Sequence, residues 1–141
     1  MIRLSILAAA IALPVPAAAQ AGNVAVDLSG LRAGGILYVQ LQTREQFLGQ
    51  QRVAGRLIRT PAEGTLSVDL GEVPPGDYAV SVWHDRNGNS RMEIDPTAGA
   101  NPDGWAMHNG EALQARPEFE QVRLTVPAAG MRIPLALSYG Q

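Results

Sequence analysis

The chain has 141 residues, 11 of them basic and 13 acidic, a formal net charge of −2, and no cysteine. Disulfides, thiolate metal centres and a lipidated N-terminal cysteine are therefore not expected. The near-balanced charge also lacks the basic excess of a nucleic-acid binder; every basic residue is arginine, and no run of arginines marks one element.

Residues 1–21 read as a cleavable export signal. Arg3 supplies a short positive start, and residues 4–13 form a ten-residue apolar run in which Ser5 is the one polar member. Pro14 and Pro16 break that run. Ala17-Ala18-Ala19 and Ala19-Gln20-Ala21 then satisfy the small-x-small cleavage rule. The run is too short for a membrane span, which needs about 20 apolar residues. The expected location is periplasmic or secreted. The expected mature protein, residues 22–141, is one domain, long enough to bury a single core unaided.

Along that domain apolar residues recur with period two. Val24, Val26 and Leu28 alternate with Ala25, Asp27 and Ser29; Leu37, Val39 and Leu41 alternate with Tyr38, Gln40 and Gln42. A weaker strand is expected over 53–60. Leu66, Val68 and Leu70 follow, then Tyr78, Val80 and Val82, then Val122, Leu124 and Val126. Met131, Ile133, Leu135 and Leu137 close the series. Such alternation puts one face of each strand in a core and the other in water. Gly and Pro clusters separate the strands, as at Gly34-Gly35 and Pro74-Pro75-Gly76. The pattern predicts an all-β antiparallel sandwich of about seven strands, immunoglobulin- or transthyretin-like. Pro134 makes the last strand an edge, or bulges it at that point. Only 43–51 looks helical, for at most two turns.

The segment 84–117 interrupts this rhythm and is rich in Gly, Asn, Asp and Pro. Connections this long are uncommon in compact domains and are usually functional or disordered. An ordered loop is expected, with a short strand near Trp105. It opens with Asp85, Asn87 and Asn89 at alternate positions, followed by Arg91, Glu93 and Asp95. Calcium takes 6–8 oxygen ligands, and its loops present them at alternate positions. Asp85, Asn87, Asn89, Glu93 and Asp95 are the candidate side-chain ligands, with the backbone carbonyl of Arg91 at position 7. Ser90 stands at position 6, where an EF-hand loop has Gly, and Pro96 at position 12, where it has Glu, so this is not an EF-hand. With few carboxylates, weak affinity is expected, about 10⁻⁴ to 10⁻³ M.

Two other readings stand beside it. In one, the loop is a polar turn that binds nothing, because Asp and Asn favour turns by bonding their own backbone, and the protein is a structural or interaction domain. In the other, His84 and His108 with Asp85 or Asp103 handle a transition metal or serve an enzyme. No nucleophile elbow, phosphate loop or His-Glu-x-x-His motif is present, so no catalytic residue is assigned. Trp83 and Trp105 flank the loop. They are expected in the core, although aromatic rings beside a calcium loop also suit a glycan, and a protein partner is equally compatible.

Three pieces of the sequence carry a likeness. They are Val73-Pro74-Pro75-Gly76-Asp77-Tyr78-Ala79-Val80-Ser81-Val82, then His84-Asp85-x-Asn87-x-Asn89, then Pro102-Asp103-Gly104-Trp105. Together they resemble the exported bacterial family called domain of unknown function 2141, over about 24–139, and the resemblance draws the C-terminal strand pair from Phe119 to Val126 and from Ile133 to Tyr139. The Pro-Pro-Gly-x-Tyr piece is also similar to transthyretin-like and collagen-adhesin B-type sandwiches, and the loop to the calcium-binding loops of surface-protein B-type domains. The resemblance implies a sandwich fold and an exported location, and no activity. Glu93 stands where that family usually has Asp. Ala106-Met107-His108-Asn109 stand where it has a Gly-Phe-Ser-Asn-like piece.

Overall fold

The structure, a computed structural model, describes residues 21–93 and 103–139. The residues read as the export signal, save Ala21, and the candidate ligand Asp95 lie outside the described residues. Among the described residues the chain forms nine strands where about seven were expected. They are β1 Gly22–Leu31, β2 Ile36–Gln42, β3 Ala54–Arg59, β4 Gly64–Val73, β5 Gly76–Asp85, β6 Gly104–Met107, β7 Arg123–Val126, β8 Met131–Ala136 and β9 Ser138–Tyr139. A one-turn helix α1, Phe119–Val122, and a 3-10 turn, Gly110–Ala112, complete the described elements.

The strands make an all-β sandwich of two sheets. One has the order β4-β1-β8; the other runs β3-β2-β5-β6-β9, with β7 also paired to β5. Pairing is antiparallel except between β1 and β8, which run parallel. The period-two residues face each other across the sandwich. Val24, Val26 and Leu28 of β1 and Ile133 and Leu135 of β8 meet Leu37, Val39 and Leu41 of β2 and Val80 and Val82 of β5 in one core. Each fully buried side chain of this kind contributes about 1.5–3 kcal/mol. β8 is an edge strand, as Pro134 requires. The last alternation splits at Leu137, whose N–H bonds Ser29 O (2.9 Å) while the next two residues cross to β6 in the other sheet. That crossing, together with the short strand at Trp105, accounts for the higher strand count.

Two local expectations change. Residues 43–51 form linked turns rather than a helix. The cause is Gln42, buried at the end of β2. Its Nε2 donates to the carbonyls of Gln46 (2.9 Å), Gly49 (3.0 Å) and Gln51 (2.8 Å), and its Oε1 accepts from Leu48 N (3.3 Å). Carbonyls drawn to one central amide cannot run along a helix axis. The strand drawn from Phe119 instead begins with α1, because Glu118 and Gln121 form a reciprocal capping box. Phe119 and Val122, three apart, then pack on Ala79 on the outer face of β5.

Candidate metal centre

β5 is a central strand, paired to β2 on one side and β6 and β7 on the other, so its C-terminal end is rigidly placed. Successive side chains of a strand point to opposite faces. His84 therefore enters the core, while Asp85 turns to the other face, where the next residues fold over it. Asp85 is fully buried. Its Oδ1 accepts N–H bonds from Gly88 (2.8 Å) and Asn89 (3.2 Å), and its Oδ2 accepts one from Ser90 (2.8 Å). Three backbone donors replace the water that burial removes from the carboxylate.

The chain closes around Asp85 through two left-handed residues, Gly88 (φ 70°) and Ser90 (φ 60°). Glycine adopts this region freely; serine does so at a cost. Across this turn the asparagines form a ladder. Asn87 Oδ1 accepts from Asn89 N (3.0 Å), and Asn89 Oδ1 accepts from Arg91 N (2.9 Å). Their amide nitrogens both reach Glu93, at 2.8 Å from Asn87 to Oε2 and 3.0 Å from Asn89 to Oε1. The structure thus links Asn87, Asn89 and Glu93 through their side chains beside the buried Asp85, and Arg91 takes part through its N–H, which donates to Asn89, not through the carbonyl expected at position 7. Among the described residues no three His, Cys, Asp or Glu side chains form a metal-ligating group. The loop carries two carboxylates and two amides, oxygen donor types that a hard cation such as calcium accepts, and in the structure each of these oxygens accepts a hydrogen bond from the loop itself.

Asp103 is a structural member of this site that the ligand spacing did not single out. Fully buried, it faces the loop from the strand side of β6. Its Oδ1 accepts from Arg86 N (3.0 Å), and its Oδ2 from Trp83 Nε1 (2.9 Å) and Glu93 N (3.0 Å). Glu93 O in turn accepts from Asp103 N (2.8 Å). One carboxylate therefore holds both ends of the loop and the indole beside it. In the sequence it stood only as an alternative metal partner of the histidines, and the Pro-Asp-Gly-Trp piece that contains it carried the family likeness. Trp83 and Trp105 are half-buried neighbours on the outer face of the sheet, not core residues. The ring of Trp83 stacks on Tyr38 at 4.9 Å and 14°, so one indole face is already covered.

The histidines are not brought together with Asp85. His84 is fully buried, with Nε2 2.6 Å from Gly34 O and Nδ1 2.7 Å from the Tyr139 hydroxyl. A carbonyl only accepts, so Nε2 carries the proton and Nδ1 accepts from Tyr139. The same hydroxyl accepts from Arg32 N (3.0 Å). Both ring nitrogens are committed, which leaves neither for a metal. Burial pushes the Tyr139 hydroxyl above its ordinary range, against the smaller opposing effects of the Arg32 N–H bond and the nearby Arg86 and Arg32 charges. His108 follows β6 and lines a separate cleft.

Comparison with known proteins places the chain in a family. The family described as "Uncharacterized protein conserved in bacteria (DUF2141)" matches residues 24–133, most of the chain and all of the described loop, and the chain belongs to it. Neither curated proteins nor solved structures return a match.

Proposed function

We propose that this DUF2141 protein is an exported, non-catalytic β-sandwich module whose loop 85–95 binds calcium weakly. Export rests on the signal read in residues 1–21. The observation that carries the calcium reading is the loop's backbone. Asp85, Asn87 and Asn89 alternate up to a left-handed residue at position 6, Ser90, where calcium loops of the EF-hand type place glycine for the sharp turn. Asn87 Oδ1 and Asn89 Oδ1 each accept one N–H and retain a second lone pair for a cation. Glu93 adds a carboxylate, and the Arg91 carbonyl and Asp95 are the further donors in this reading. Calorimetric titration tests it. Calcium should bind with one site at about 10⁻⁴ to 10⁻³ M, and Glu93→Gln should weaken that binding. Absence of saturable heat from calcium overturns the reading.

One observation favours a second reading, a structural or interaction domain without an ion. Glu93 is already bonded by both asparagine amides, so the loop closes on itself. Under that reading calcium leaves the titration flat. The transition-metal reading is not carried forward, because His84 is committed to Gly34 and Tyr139.

A further inference from the structure

Along one side of the sandwich β3 packs on β4; along the other, the more open side, β8 is the edge of its sheet and the chain crosses through Leu137 to β9, which ends the other sheet beside β6. A cleft of about 840 Å³ enters at the open side. Leu124, Met131, Ile133 and Leu135 lie on the β7 and β8 side of it, and Trp105 and Met107 on the β6 side. Its polar members are His108, Asn109, Glu111 and Ser138. Ligand pockets typically measure about 300–1,000 Å³ and combine an apolar lining with a few polar groups, so the size and chemistry fit a small molecule.

We propose that this cleft binds a small amphipathic molecule with an aliphatic body and a cationic head. The body follows from the apolar lining and from Met107 and Met131, whose unbranched thioethers adapt to irregular shapes. The head follows from charge. Glu111 is the one formally charged residue lining the cleft; it is exposed, and among the described residues it has no ion-pair partner. An anionic head would meet that carboxylate with only the His108 imidazole, formally neutral at pH 7, in the lining beside it. A peptide strand is the poorer occupant. Leu137 N–H points to β1, so the odd-numbered N–H groups of this stretch face β1 and the even-numbered positions face the open edge. Pro134 is an even position, and its missing N–H interrupts the row of donors an added strand would need. None of the candidate ligands of the 85–95 loop lines the cleft, and the proposal does not depend on calcium.

Methionine methyl NMR tests this, because Met107 and Met131 line the cleft and Met92 does not. Protein labelled at the methionine methyls is titrated with decylammonium, decanol and decanoate below their micelle concentrations. Decylammonium should shift Met107 and Met131 saturably, leave Met92 in place and bind more tightly than decanoate. Glu111→Gln, a change at an exposed residue, should weaken decylammonium about threefold, the scale of a surface charge pair, and leave decanol unchanged. The proposal is overturned if Met107 and Met131 do not move, or if decanoate binds as tightly. It is also overturned if all methyls drift together without saturation. Dilution alone moving Met131 would assign the cleft to a second copy of the chain and overturn it as well.

Discussion

The indole N–H of Trp83 donates to Asp103 Oδ2 at 2.9 Å, and the same oxygen accepts the backbone N–H of Glu93 at 3.0 Å. The aromatic stack of Trp83 on Tyr38 and the end of the candidate metal loop are thus tied to one buried carboxylate. Asp103→Asn keeps the shape but presents an N–H₂ group to donors. At least one of Arg86 N, Trp83 Nε1 and Glu93 N then loses its acceptor. A buried donor left unpaired costs about 1–3 kcal/mol, so the variant should be destabilised by about 2–3 kcal/mol. Urea unfolding followed by tryptophan fluorescence measures this, and a change under 0.5 kcal/mol, about the scatter of neutral surface substitutions, would show that Asp103 does not hold the loop.

Ser90 sits at φ 60°. A left-handed conformation costs an L-residue roughly 1–2 kcal/mol, and glycine gives back about 0.5–1 kcal/mol of that through chain entropy. Ser90→Gly should therefore stabilise the protein by about 0.5–1 kcal/mol, and in the calcium reading it should not weaken the ion. Equilibrium unfolding of the two proteins side by side checks the sign. A destabilised glycine variant would mean that the serine side chain contributes more than its backbone strain costs.

How much of this could be read in the sequence depends on the range of the interaction. The core strands were legible because Val24, Val26, Leu37, Val39, Val80 and Val82 each repeat a local period of two. The candidate ligands were legible because Asp85, Asn87 and Asn89 lie within one loop. Asp103 meets Trp83 across 20 positions and Tyr139 meets His84 across 55, and such side-chain contacts leave no spacing to recognise. The start of α1 was misread for another reason. Val122, Leu124 and Val126 keep period two straight through the helix end, while Phe119 and Val122 satisfy a helical period of three at the same time.

Gln42 shows how one side chain can replace a secondary-structure element. Its two amide hydrogens are shared among three carbonyls, those of Gln46, Gly49 and Gln51. Gln42→Glu has nearly the same volume but turns this donor into an acceptor facing carbonyl oxygens. It should cost about 2–3 kcal/mol, within the range for unpaired buried polar groups, and should open 43–51 to limited proteolysis. Cleavage elsewhere first would contradict the central role of Gln42.

Tyr139 links stability to alkaline pH. Burial raises its hydroxyl above the ordinary value of 10.0, so the folded protein favours the neutral form. The stabilisation is fully present below pH 10 and is lost as the pH rises through the raised folded value. Tyr139→Phe removes the partner of His84 Nδ1 and of Arg32 N. It should lower stability at neutral pH by about 2–4 kcal/mol and flatten the decline above pH 10. Part of the decline should remain, because burial also raises Tyr78. Urea midpoints of both proteins across the alkaline range measure the two slopes; parallel slopes would remove Tyr139 from the account.

The central claim is that calcium binds the loop that begins at Asp85, and thermal unfolding in calcium against chelator tests it most directly, with Asn87→Ala and Glu93→Gln alongside and magnesium as the control ion. A ligand that binds only the folded state adds about 1.4 kcal/mol at ten times its Kd, which for a domain of this size raises Tm by roughly 5 °C. The account predicts that rise in millimolar calcium, little of it in magnesium, and its loss in both variants. An unchanged Tm in calcium, or an equal rise in the variants, would contradict it and leave a loop closed by its own hydrogen bonds.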